Sequence, residues 1–95
     1  MKQIVSKHDP NATLILFGSR ARGDWQEDSD WDFLILTDKE ELKDLHEDIR
    51  NDVLEQIEWK TFEVVQTIVR NKKDWQEKYR ITDLYDSIQQ EGKIV

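Results

Sequence analysis

The apolar positions of this chain fall into continuous runs in some places and helical stripes in others. Thr13 to Phe17 (TLILF) is apolar almost throughout with no polar alternation, which suits a strand covered on both faces and seated centrally in a sheet. Trp31 to Thr37 (WDFLILT) is a second strand, with Asp30, Asp32, Leu34 and Leu36 on one face and Trp31, Phe33 and Ile35 on the other. Its carboxylates come first and its leucines after, so the polar end belongs at the rim of the sheet. Phe62 to Val69 (FEVVQTIV) is rich in β-branched residues and forms a third strand, with Phe62, Val64, Gln66 and Ile68 sharing a face.

Between the second and third strands, Leu42, Leu45, Ile49, Val53 and Ile57 recur at helical spacing. They predict an amphipathic helix from Lys39 to Trp59, about five turns long, capped by Thr37 or Asp38 with Glu40 and Glu41 in its first turn. His46 lies beside the stripe as a boundary or surface residue. Met1 to Lys7 is too short to be assigned a helix on its own pattern, and Asp9, Pro10 and Asn11 follow it as a turn. After the third strand come a turn at Asn71 to Lys73 and a short helix at Asp74 to Lys78. A last helix, capped by Thr82, carries Leu84, Tyr85 and Ile88 and stops at Gly92, leaving Lys93 to Val95 as a tail or edge strand. The chain contains no internal repeat, low-complexity segment or linker.

A chain of 95 residues makes one domain with a modest core and no room for a separate substrate domain, so it is expected to borrow surface from a partner or from its own copies. The absence of cysteine excludes a disulfide framework and a thiolate metal site, and suits a reducing cytoplasm. No signal-peptide layout and no stretch near the ~20 apolar residues of a bilayer span is present, so a soluble, cytoplasmic protein is expected. The net charge of −7 disfavours nucleic acid, whose phosphates demand cations, and favours metal ions or a basic partner. Trp25, alone in a polar loop, is a candidate contact residue or a loop residue packed on the domain.

The candidate chemistry sits between the first two strands, in the stretch Leu14 to Leu36 (LILFGSRARGDWQEDSDWDFLIL). Gly18 and Ser19 end the first strand, Arg20 to Arg22 can form one helical turn before Gly23, and a helix starting there aims free N–H groups at an anion. Gly18 lets backbone approach a phosphate closely, Ser19 adds a hydroxyl, and Arg20 or Arg22 adds charge-assisted bonds. Asp30 and Asp32, on one strand face, suit magnesium, which takes one or two carboxylates plus phosphate oxygens. Two such ions would activate an attacking hydroxyl and steady a triphosphate. Either fragment alone is ordinary surface; their ordered combination on two apolar strands points to phosphoryl transfer from a nucleoside triphosphate.

GSRARG followed by DSDWDFLIL resembles the signature of the minimal nucleotidyltransferases, small members of the DNA polymerase β-like superfamily: Gly-Ser, a nearby Gly, then Asp-x-Asp before an apolar strand. The Asp9 to Ala12 lead-in and the terminal EGKIV resemble small bacterial members more weakly. The resemblance implies an α+β fold, a small mixed sheet with helices packed on one side. It places NTP phosphates at Gly18 and Ser19, with Arg20, Arg22 and Ser29 in the nucleotide-binding set, and two Mg2+ ions at Asp30 and Asp32. The family commonly adds a third carboxylate from a later strand; here Gln66 stands in that position, and an amide carries no charge and is a poor base. Glu63 is the nearest substitute, but three residues away it faces the other side unless a bulge redirects it. The implied activity is transfer of a nucleoside monophosphate, AMP first, from ATP to a hydroxyl, with a tyrosine of a HEPN-type partner as acceptor in a toxin–antitoxin pair. The alternative, motivated by Gln66 and the acidic helix, is an NTP-binding antitoxin module with weak or no catalysis that acts by stoichiometric binding, as a homo- or hetero-oligomer.

Overall fold

The computed structural model describes all residues 1–95. Its centre is a four-stranded mixed sheet of order β3-β2-β1-β4, formed by β1 (Thr13–Phe17), β2 (Trp31–Thr37), β3 (Val65–Asn71) and β4 (Lys93–Ile94). β1 runs antiparallel to β2 and to β4, while β2 and β3 are parallel. Phe33 to Thr37 are all buried, because an apolar run with no polar alternation has no face to give to water. Leu34 and Ile35, both fully buried, point to opposite sides, so each anchors a different layer.

Two cores result. On one face Phe33 and Ile35 meet Ile4 and Val5 of α1 (Lys2–His8) and Leu45, Ile49 and Val53 of α3 (Lys43–Val53). On the other, Leu34 and Leu36 meet Trp75 of α5 (Lys72–Glu77) and Ile88 of α6 (Asp83–Glu91). The mixed sheet and the α+β class are as the resemblance implies. The expectation of helices on one side only is corrected, since β2 is apolar on both faces and both are covered.

Several boundaries differ from the sequence pattern: the third strand runs on to Asn71 instead of ending at Val69, and a helix starts at Lys72 where a turn over Asn71 to Lys73 was expected. Met1 to Lys7 lacked the length for an independent helix, yet α1 forms because Ile4 and Val5 are buried and Asp52 of α3 binds Lys7 and His8 at its C-terminal end. The stripe helix starts at Lys43 instead of Lys39, and neither Thr37 nor Asp38 caps it: the Asn71 side-chain amide donates to Asp38 O at 3.4 Å and to Lys39 O at 2.9 Å, carbonyls that a helix from Lys39 would use itself. After Val53 the helix widens into a π segment, Leu54–Glu58, and closes as α4 (Trp59–Thr61). Phe62 then takes a left-handed conformation (φ 59°) with its ring exposed, so the third strand begins at Val65 and not at Phe62. Strand pairing can begin only where β2 offers a partner, at Trp31 opposite Val65. Asn71 caps α5 through the Lys73 and Asp74 N–H groups, and Thr82 caps α6 through Tyr85 N–H, as residues of these types do at helix starts. No helix is long and apolar enough to cross a membrane.

Candidate active site at the rim of the sheet

Antiparallel pairing of β1 with β2 sets Phe17 opposite Asp32, so the turn that follows Phe17 folds against the Asp32 side chain. Gly18 adopts φ 76°, ψ −162°, and a Cβ at that position would collide with the Asp32 carboxylate. Glycine is required there twice over, for the positive φ and for the close approach. The turn leads into α2 (Ser19–Arg22), one helical turn anchored by buried Ala21 and closed by Gly23 at φ 89°. The N–H groups that open a helix have no intrahelical acceptor, so Ser19 presents donors next to Asp32.

Asp30 is exposed and Asp32 half-buried. The Asp32 carboxyl is held above the usual carboxylate range, first by burial and then by the negative charge of Asp30, while the Arg22 guanidinium pulls it the other way. The three groups therefore lie within electrostatic reach of one another. Like charges side by side on a rim are what a small cation relieves, and two hard carboxylates completed by phosphate oxygens and water suit magnesium. Asp30 and Asp32 are the residues that would hold it; no cluster of three or more His, Cys, Asp or Glu side chains is present anywhere in the chain.

Gln66 sits opposite Asp32 on the parallel neighbour β3, exposed and on the same face. Glu63 does not come to that face. The β2–β3 register runs without a bulge from Trp31–Val65 to Thr37–Asn71, and Glu63 lines a cleft of about 540 Å³ on the other side with Leu16, Trp31 and Val65. That cleft is mostly apolar and faces away from the aspartates.

The two arginines of α2 part company. Arg20 turns to the Trp31 face, away from Asp32: its guanidinium lies 4.4 Å from the ring centres of both Trp25 and Trp31, donates to Ser29 O at 3.0 Å and to Glu27 O at 3.3 Å, and stands 3.9 Å from Glu63. Its side chain is 6% exposed, so it braces the acidic loop, and Trp25 is its cover. Ser29 is also part of that brace, its hydroxyl accepting the Gln26 N–H at 2.9 Å. Arg22, 47% exposed, stays on the Asp32 side, where Nε binds Asp24 at 3.3 Å and Nη1 binds both oxygens of Glu91 at 3.2 Å. These two carboxylates raise its already high pKa further. Glu91 was missed by sequence reasoning, which saw only the last helical residue before Gly92. His46 bonds the Thr67 hydroxyl at 3.1 Å on the opposite face and takes no part.

No curated relative matches the chain. A family model described as "Nucleotidyltransferase domain" does, over residues 1–94, and it takes in the Gly18–Ser19 turn, both rim aspartates and the terminal strand. With that match across nearly its whole length, the chain belongs to the nucleotidyltransferase domain family.

Proposed function

We propose that this nucleotidyltransferase domain transfers AMP from Mg-ATP to a hydroxyl on a partner protein, a tyrosine of a HEPN-type toxin being the leading acceptor. The acceptor oxygen attacks the α-phosphorus, the α–β phosphoanhydride bond breaks, pyrophosphate leaves, and the hydroxyl proton passes to a base. Ser19 and the opening N–H groups of α2 bind phosphate oxygens, Arg22 adds charge, and Asp30 and Asp32 hold the metal. Bound magnesium would supply charge neutralisation for the triphosphate and acidify the attacking hydroxyl. The observation that supports this reading is the close approach of the Asp32 side chain to Gly18, a rim carboxylate against a glycine turn that opens a helix.

A second reading is favoured by Gln66 opposite Asp32 with Glu63 on the far face: a nucleotide-binding module that silences its partner by stoichiometric association. One experiment separates them. Purified protein is incubated with α-labelled ATP, Mg2+ and the neighbouring gene's product, beside Asp30→Asn and Asp32→Asn. The enzyme reading expects label on the partner and a loss of at least about a hundredfold in both variants, since even ligand-orienting residues around metals are worth 10–100-fold. An inhibited partner that carries no label selects the binding module.

A further inference from the structure

The C-terminal corner of the chain reaches the rim. α6 ends at Glu91, Gly92 turns the chain, and β4 pairs back on β1 with Leu16 opposite Lys93 and Ile15 opposite Ile94. Val95 N–H extends that pairing to Leu14 O at 3.0 Å. Gly92 has no room for a side chain: a Cβ there would come within 2.9 Å of the Ile15 side chain and 2.5 Å of Ile88 O. Buried Ile88 fixes the same helix against Leu34 and Leu36. The Glu91 backbone is thus fixed relative to β1, whose next residues form the Gly18–Ser19 turn, and it lies on the Asp32 face of the sheet.

As a helix residue Glu91 is poorly placed. An anion in the last turn faces the negative end of the helix dipole, and α6 has no basic residue there to offset it. Its partner is Arg22, held through Nη1 by both carboxylate oxygens while Asp24 takes Nε. That leaves Nη2 for a further acceptor. The Glu91 side chain is only 20% exposed, so this pair is better covered than the loop contact to Asp24, which is 64% exposed. A residue that breaks a local rule and meets its compensation only at a candidate site is expected to serve that site.

We propose that Glu91 is a positioning residue for the nucleotide: it holds Arg22 beside Asp32 with one guanidinium nitrogen left for a β- or γ-phosphate oxygen. This rests on the nucleotidyltransferase reading of the rim and adds the C-terminal corner to it. The contact acts on the triphosphate tail and leaves base and ribose alone.

Calorimetric titration of Mg-ATP and of AMP tests this on wild type, Glu91→Gln, Glu91→Asp, Arg22→Ala and the Arg22→Ala/Glu91→Gln double variant, each checked for folding by thermal melting. Glu91→Gln should weaken Mg-ATP binding about five- to tenfold, less than the full worth of a charge-assisted hydrogen bond because Arg22 itself remains, and leave AMP unchanged. Glu91→Asp should recover part of that loss, and the double variant should bind no more weakly than Arg22→Ala alone. The role of Glu91 is overturned if Glu91→Gln binds Mg-ATP as wild type does, if it binds more tightly, showing that Glu91 competes with phosphate, or if the two losses add. Equal losses for Mg-ATP and AMP would also overturn it, as general damage to the fold. A wild type that binds no Mg-ATP at all removes the nucleotide reading itself, and this inference with it.

Discussion

The start of β2 presents two faces to the rim of the sheet, and they treat charge in opposite ways. On the Trp31 face, Arg20 is sandwiched by two tryptophans, bonded to two backbone carbonyls and almost wholly covered. On the Asp32 face, one residue further along, two aspartates share a rim, Asp32 is driven above its normal pKa and Arg22 is left half in water. The first arrangement is complete without a ligand and the second is not. Two arginines of one helical turn thus differ in kind: Arg20 holds the loop shape, and Arg22 remains available to bind. Residual, unneutralised charge beside a glycine-only turn marks the Asp32 face, whereas the apolar cleft of about 540 Å³ lies on the completed one.

The largest effect that would sharpen this contrast comes from Gln66→Asp. It restores a carboxylate opposite Asp32, on the face where charge is unfinished. A positioned general base is typically worth 10²–10⁴ in rate, so label transfer to the partner in single-turnover measurements should rise by about a hundredfold. Glu63→Gln, on the far face, should leave that rate alone. Unchanged transfer in Gln66→Asp, with nucleotide binding intact, would mean that the base comes from outside this strand.

Next in size is the division between the arginines. Arg20→Ala removes two stacked rings' worth of cation–π contact and the bonds to Ser29 O and Glu27 O, and should cost about 2–3 kcal/mol in denaturant unfolding. In a domain of this size that lowers Tm by on the order of 10 °C. Arg22→Ala removes only ion pairs of an exposed side chain and should unfold close to wild type, far less shifted than Arg20→Ala. Equal destabilisation by the two substitutions would show that the two faces are not divided as described.

Much of this was legible in the sequence, because β1 and β2 announce themselves as short unbroken apolar runs and α3 by the helical period of its stripe. The Gly18 to Asp32 relation was legible as a motif, and the register supplied its cause. What the pattern could not show depends on contacts between distant segments. α1 exists because of Ile4, Val5 and Asp52, and Phe62 leaves the third strand because β2 offers no partner before Trp31. Arg20 and Arg22 are equivalent in GSRARG, and only the helical turn of α2 sends one to Trp31 and the other to Asp32. Glu91 carried no signal at all, being one more acid in an acidic helix until β4 folds it back on β1.

The smallest prediction sets two aspartates against each other. Asp52, on the α1–α3 face, is held below the usual carboxylate range by the His8 and Lys7 bonds, whereas Asp32 is held above it. A depressed carboxylate stabilises the fold once pH exceeds its unfolded value, and that contribution is lost as pH falls through the folded one. A raised carboxylate does the reverse: its ionisation costs stability as pH climbs from the unfolded value through the folded one. At pH 7 without metal, Asp52→Asn should therefore melt below wild type and Asp32→Asn above it, each within about 2 °C because both groups are partly solvated. Both differences should shrink towards zero as the carboxyls protonate, Asp32 first on the way down. Added Mg2+ should raise the wild-type Tm and leave Asp32→Asn unmoved, since a cation on the rim relieves a repulsion that the amide has already removed. If Asp32→Asn melts lower than wild type at pH 7, its carboxylate stabilises the fold like that of Asp52, and the idea of one finished and one unfinished face fails.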